Sequence, residues 1–145
     1  MSVSTLILRT AGTNCDAELA FAFEQAGATT QTLHLSRLIE APSLLEQFDI
    51  VGFPGGFSYG DYLRCGAIAS RSPIVSDIKA KSERGLAVAG FCNGFQVLTE
   101  AGMLPGALMR NKNLNFVCRP ERLQVANANT RYTKHYAPKS EVIFP

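Results

Sequence analysis

Gly90-Phe91-Cys92-Asn93-Gly94 has the glycine–x–nucleophile–x–glycine form of a nucleophile elbow, a reactive side chain on a sharp strand-to-helix turn. The requirement is steric. A nucleophile in such a turn adopts strained backbone angles, and close approach of main chain leaves no room for a Cβ on either side. The apolar run before it and the helical pattern after it would hold the Cys92 thiol over a sheet edge. There it meets the N-terminus of the next helix, where the backbone dipoles favour negative charge. A structural cysteine between two packing glycines would produce the same letters.

"FPGGFSYGDYLRCGA" is the second stretch of interest. Gly55-Gly56 follows an apolar run, so its main-chain N–H groups could face the same edge as Cys92. One donor at Gly56 and one at Asn93 would form an oxyanion hole for acyl transfer; a plain chain reversal would use the same glycines. Asp61 and Arg64 have the spacing of an i,i+3 ion pair. Gln96, one helical turn after Cys92, could bind a substrate amide or amino acid group, or serve only as a good helix former. Arg110, Lys112 and Arg119 read as a solvated basic face. A general base is harder to find. Of two histidines, His34 alternates with leucines in "QTLHL" and His135 lies in the polar turn "TKHYAPK". Neither is followed two residues on by a carboxylate that would orient it.

These groups need a scaffold, and the hydrophobic pattern supplies one. "TLILR" (Thr5–Arg9), "TTQTLHL", "DIVGF" and "LAVAGF" read as strands. Between them lie helical patterns. In "TNCDAELAFAFEQAGA", Asn14 is placed to cap, Asp16 and Glu18 suit the positive end, Leu19 and Phe23 share a face, and Gly27 closes. "SLLEQF" is a short helical candidate. In "SPIVSDIKAKSERG", Ser72 is the expected cap, Pro73 the first residue, Ile74 and Ile78 the inner face, and Gly85 the stop. Strands alternating with helices predict an α/β fold: an open, mostly parallel sheet, flavodoxin-like, with helices on both faces. Sites in such sheets gather beyond the carboxyl ends of the strands. Three turns qualify here: Thr10–Asn14, Pro54–Asp61 and Cys92–Gly94. After Pro105 the texture changes to short strands with polar turns, an antiparallel extension.

Composition sets the outer bounds. The 145 residues suffice for one domain with a core, read as 1–145, and 46% hydrophobic with 18% charged residues is ordinary for a globular chain. A net charge of +2 is too mild to argue for nucleic acid or an anionic membrane. No run approaches the ~20 apolar residues of a membrane span, and the start lacks the pattern of a signal peptide. The cytoplasm is the expected compartment. Cys15, Cys65, Cys92 and Cys118 are scattered without metal-ligand spacing, so no metal site is expected and free thiols are. The final "EVIFP" reads as the middle of a strand, so the chain is expected to be incomplete at its C-terminus.

"FPGGFSYGDYLRCGAIA", "GFCNGFQVLTEAGMLPGAL" and "RNKNLNFVCRP" together resemble the glutaminase subunits of phosphoribosylformylglycinamidine synthases, which are class I (triad-type) glutamine amidotransferases of purine synthesis. The opening "ILRTAGTNCDAELAFAFEQAGA" fits the first strand, loop and helix of that family, so the resemblance spans the chain. It implies that Cys92 attacks the carboxamide of glutamine, that Gly56 and the Asn93 amide hold the oxyanion, and that Gln96 contacts bound glutamine. A glutamyl thioester would follow, and ammonia would pass to a larger synthetase subunit, with a small accessory subunit as a further partner. ATP and Mg would belong to that synthetase, with no cofactor on this chain. Family members also carry a His and a Glu, two residues apart, near their C-terminus; neither His34 nor His135 has that context. The 145 residues alone are therefore expected to be inactive or nearly so. Two other readings remain open: a non-catalytic module that docks on the synthetase, and an unrelated flavodoxin-like cysteine hydrolase or redox-sensitive protein.

Overall fold

A computed structural model describes residues 2–144. They form two compact units, one ending at Leu108 and the other starting at Met109. The first holds β1 (Ser4–Arg9), α1 (Asp16–Gln25), β2 (Thr29–His34), α2 (Leu35–Glu40), β3 (Ile50–Phe53), α3 (Ala67–Ser70), α4 (Pro73–Ser82), β4 (Ala87–Gly90) and α5 (Asn93–Glu100). Its four strands pair in the order β2-β1-β3-β4, all parallel. "SLLEQF" is helical as expected, but as a 3-10 segment over Pro42–Gln47.

Alternation along the strands assigns the two faces. Leu6, Leu8, Val51 and Phe53 join one core with Leu35 and Leu38 of α2, Ile74, Val75 and Ile78 of α4, and Val97 and Leu98 of α5. Ile7 and Gly52 point the other way. A Cβ on Gly52 would lie 3.2 Å from both Leu19 and Phe23 of α1, so glycine there lets α1 lie close on the sheet. The shared face read for Leu19 and Phe23 is the one that packs. Burying a leucine or isoleucine side chain contributes about 1.5–3 kcal/mol, and Leu6, Ile7, Leu38 and Ile78 are fully buried.

One helix start differs from expectation. Asn14 does not cap α1: the helix begins one residue later, with Cys15 at the cap position and no side-chain cap bond. The Asn14 and Cys15 N–H groups instead donate to the Gly55 carbonyl, and the Asn14 side chain accepts from the Cys15 thiol. Ser72 does occupy the cap position of α4 with Pro73 next, yet its hydroxyl is buried and makes no bond to the helix end. Gly85 closes that turn at φ 114°. His34 ends β2 and caps α2, with Nδ1 accepting from the Ser36 N–H.

The second unit contains the expected antiparallel pair, β5 (Glu121–Gln124) with β6 (Glu141–Phe144), in register Arg122↔Ile143 and Leu123↔Val142. Arg119 is paired with Glu121 at 2.6 Å, while Arg110 and Lys112 are exposed. Among the described residues no helix is long and apolar enough to cross a membrane.

Candidate active site

The parallel register aligns Phe53 with Gly90, so the turns that leave β3 and β4 start side by side. The Phe91 N–H donates to the Phe53 carbonyl at 3.0 Å, and the Gly94 N–H closes a tight turn on the Phe91 carbonyl at 2.8 Å. Cys92 is forced to φ 51°, ψ −112°, a conformation that L-residues seldom adopt and that over-determined functional turns sustain. The flanking glycines are demanded by space. A Cβ on Gly90 would meet Leu98 at 2.6 Å and the Gly94 carbonyl at 2.7 Å; one on Gly94 would meet the Phe53 carbonyl oxygen at 2.0 Å. The thiol is exposed at the N-terminus of α5, as the elbow motif requires.

The other two turns are bound to each other. Thr13 faces Gly56 in an isolated antiparallel bridge. Phe57 N–H donates to Gly12 O at 2.9 Å, Tyr59 N–H to Ala11 O at 2.8 Å, and Cys15 N–H to Gly55 O at 3.2 Å. These bonds leave out the Gly56 N–H. The Asn93 N–H is the first of α5 and has no acceptor within the helix. Gly55 lies against Cys92: a Cβ there would be 3.4 Å from the Cys92 Cβ and 3.5 Å from the Cys15 sulfur. A cavity of about 460 Å³ opens beside the thiol, lined by Cys15, Glu18, Leu19, Phe23, Gly55 and Phe91 among others, none of them histidine.

Gln96 is one turn along α5, where its Oε1 accepts from Asn93 Nδ2 at 2.9 Å. The expected Asp61–Arg64 pair does not form. Asp61 accepts from Asn93 Nδ2 at 3.1 Å, and Arg64 reaches across to Glu100 of α5 in a two-pronged contact of 3.0 and 2.6 Å. The reason is backbone geometry: Tyr59, Gly60, Asp61 and Leu63 all have positive φ, so the segment is not helical and i,i+3 neighbours diverge. The Arg64 guanidinium holds the Glu100 carboxyl below its ordinary value. Burial first, and then neighbouring Asp61, push the Cys65 thiol up.

Sequence reasoning missed two participants. Cys15 lies at the same groove as Cys92, and the Asn93 carboxamide accepts the Ser58 N–H at 3.0 Å, bonding the elbow to the glycine loop. The only signal for the latter was an Asn beside the nucleophile and an Asp in the loop. His34, by contrast, ends the strand farthest from β4. Three strand spacings put it on the order of 14 Å from the elbow.

Comparison with known proteins agrees with this geometry. Residues 2–138 match the family model described as the CobB/CobQ-like glutamine amidotransferase domain. The chain is 55% identical over 135 residues to the phosphoribosylformylglycinamidine synthase subunit PurQ of Cereibacter sphaeroides, covering 92% of this chain and 59% of the relative. It is 47% identical over 141 residues to the PurQ subunit of Rhizobium meliloti, covering 97% and 61%. The structure of PurLQS from Thermotoga maritima superimposes with a TM-score of 0.84 at 34% identity, over 99% of this chain and 65% of that one. The chain thus spans less than two thirds of the length of these proteins. With the elbow, the glycine loop and the parallel sheet all in place, the chain belongs to the CobB/CobQ-like glutamine amidotransferase family.

Proposed function

We propose that this chain is the glutamine-hydrolysing part of a phosphoribosylformylglycinamidine synthase, supplying ammonia to a larger synthetase subunit in the cytoplasm. One observation carries the reading: Cys92 stands exposed at φ 51° on the elbow, beside the Gly55–Gly56 turn. The names of the relatives support the choice of synthase.

In this reading the Cys92 thiolate adds to the side-chain carbonyl carbon of glutamine. The carbonyl oxygen becomes the oxyanion, met by the main-chain N–H groups of Gly56 and Asn93. Collapse breaks the C–N bond, the nitrogen leaves as ammonia after taking a proton, and a thioester remains on Cys92. Water then adds to the thioester, giving glutamate and the free thiol. Gln96 contacts the bound glutamine. Ammonia moves on to the ATP-dependent synthetase, which holds the nucleotide and Mg, with a small accessory subunit completing the assembly.

The test is covalent labelling of the chain with a chloroketone analogue of glutamine, in which the thiolate displaces chloride. Mapping of the adduct to Cys92, with protection by glutamine and loss in Cys92→Ser, is expected. Labelling spread over Cys15 and Cys118 without protection would favour an unrelated cysteine hydrolase. A second reading is a docking module without turnover. Ammonia release in the presence of the synthetase separates it from the first.

A further inference from the structure

Asn93 is 3% exposed, and both the oxygen and the nitrogen of its carboxamide are hydrogen-bonded. Its oxygen accepts the Ser58 N–H at 3.0 Å; its nitrogen donates to Asp61 Oδ1 at 3.1 Å and to Gln96 Oε1 at 2.9 Å. The partners fix which way the amide points, because the Ser58 N–H can only donate and the Asp61 carboxylate can only accept. Ser58 is two residues beyond Gly56, and Asp61 lies in the run where Tyr59, Asp61 and Leu63 hold positive φ. Each of those three angles is disfavoured for a side-chain-bearing residue, so the loop needs outside constraint. Other bonds tie its near end to the Gly12–Cys15 turn. The Asn93 carboxamide ties it to the helix that carries Cys92.

We infer that the Asn93 side chain is a positioning residue, a clasp that sets the distance between the glycine-loop amide and the nucleophile. The inference rests on the glutaminase reading, in which the neighbouring main-chain amides receive the oxyanion. A single residue would then contribute its N–H to the oxyanion hole and use its side chain to hold the other donor in register. Charge explains why Asn suits the position better than Asp: a carboxylate at 93 would face Asp61 across a 3.1 Å contact.

The experiment compares two reagents on the same thiol. Rates of Cys92 modification are measured by peptide mapping with the chloroketone analogue of glutamine and with iodoacetamide, and Tm is recorded for each variant. Iodoacetamide reports thiol exposure; the chloroketone also requires a carbonyl seated against the loop. Asn93→Ala is expected to lower the chloroketone-to-iodoacetamide ratio by about 10²-fold, the cost of a misplacement near 1 Å. Asn93→Asp is expected to lower it too. Asn93→Asp combined with Asp61→Asn is expected to recover most of it, because the exchange swaps donor and acceptor across the same contact and removes the charge repulsion. The swapped pair keeps the test open if Asn93→Ala does not fold. A ratio unchanged in the Asn93 variants, or no recovery in the swapped pair, overturns the inference while leaving the glutaminase reading intact. A wild-type chain with no chloroketone preference overturns both, and is recognised before any variant is made.

Discussion

Gly94 sits directly under the end of β3: a Cβ at 94 would lie 2.0 Å from the Phe53 carbonyl oxygen, the same oxygen that accepts the Phe91 N–H. No rotamer can relieve this, because the obstacle is backbone. Gly94→Ala is expected to cost at least about 2 kcal/mol, as overpacking does, lowering Tm by at least about 5 °C. Gly27→Ala is the control. That glycine has φ 88° but nothing within 4 Å of its would-be Cβ, so only conformational strain remains, roughly 1 kcal/mol. Thermal unfolding of both variants checks the difference; equal losses would mean that the elbow is not sterically locked.

Cys65 differs from the other thiols for a reason that can be read at pH 8. It is half-buried, and burial first, then Asp61 beside it, push its thiol up and disfavour the thiolate, whereas Cys15, Cys92 and Cys118 are exposed. Alkylation followed by peptide mapping is expected to find Cys65 slower than these three by about tenfold. Asp61→Asn is expected to speed Cys65 by removing the charge, leaving the remaining difference to burial.

Much of this architecture was legible because it depends on local pattern. The uninterrupted runs at Leu6–Leu8 and Ile50–Phe53 belong to strands covered on both faces, and Pro73 and Gly85 bracket α4 as their backbone preferences dictate. The elbow was legible because its two glycines answer to steric demands of one turn. What failed was choice among partners. Asn14 is a good cap in isolation, but the Asn14 and Cys15 N–H groups found the Gly55 carbonyl, from a turn distant in the chain. Arg64 was offered Asp61 at helical spacing and took Glu100 instead, because the intervening backbone is left-handed at Asp61 and Leu63. The Asn93 clasp joins residues 35 apart in the chain, and no spacing rule reaches that far.

The Arg64–Glu100 pair predicts a pH dependence with a definite sign. Hydrogen bonding and charge from Arg64 hold the Glu100 carboxyl below its ordinary 4.5 in the folded state. The unfolded chain therefore binds the proton more readily, and the pair's contribution is present above about pH 4.5 and lost as pH falls through the lowered folded value. Tm of wild type should exceed that of Glu100→Gln near pH 7, and the gap should close as pH falls below the ordinary 4.5. A gap that persists at the acid end would assign the effect to packing of the Glu100 stem rather than to its charge.

Turnover is where the proton acceptor becomes measurable. His34 is committed as the cap of α2 and lies on the far side of the sheet order from the elbow, so it cannot take a proton from Cys92. Glutamine hydrolysis needs proton transfers on both halves of the cycle: to the departing nitrogen, and from the water that opens the thioester. Positioned acid–base help is worth about 10²–10⁴-fold, so the 145 residues should release ammonia from glutamine at least about a hundredfold more slowly than a glutaminase whose base is in place, while still reacting with the chloroketone. His34→Ala should leave the residual rate unchanged. Rapid ammonia release by the chain alone, abolished in His135→Ala, would instead make His135 the base.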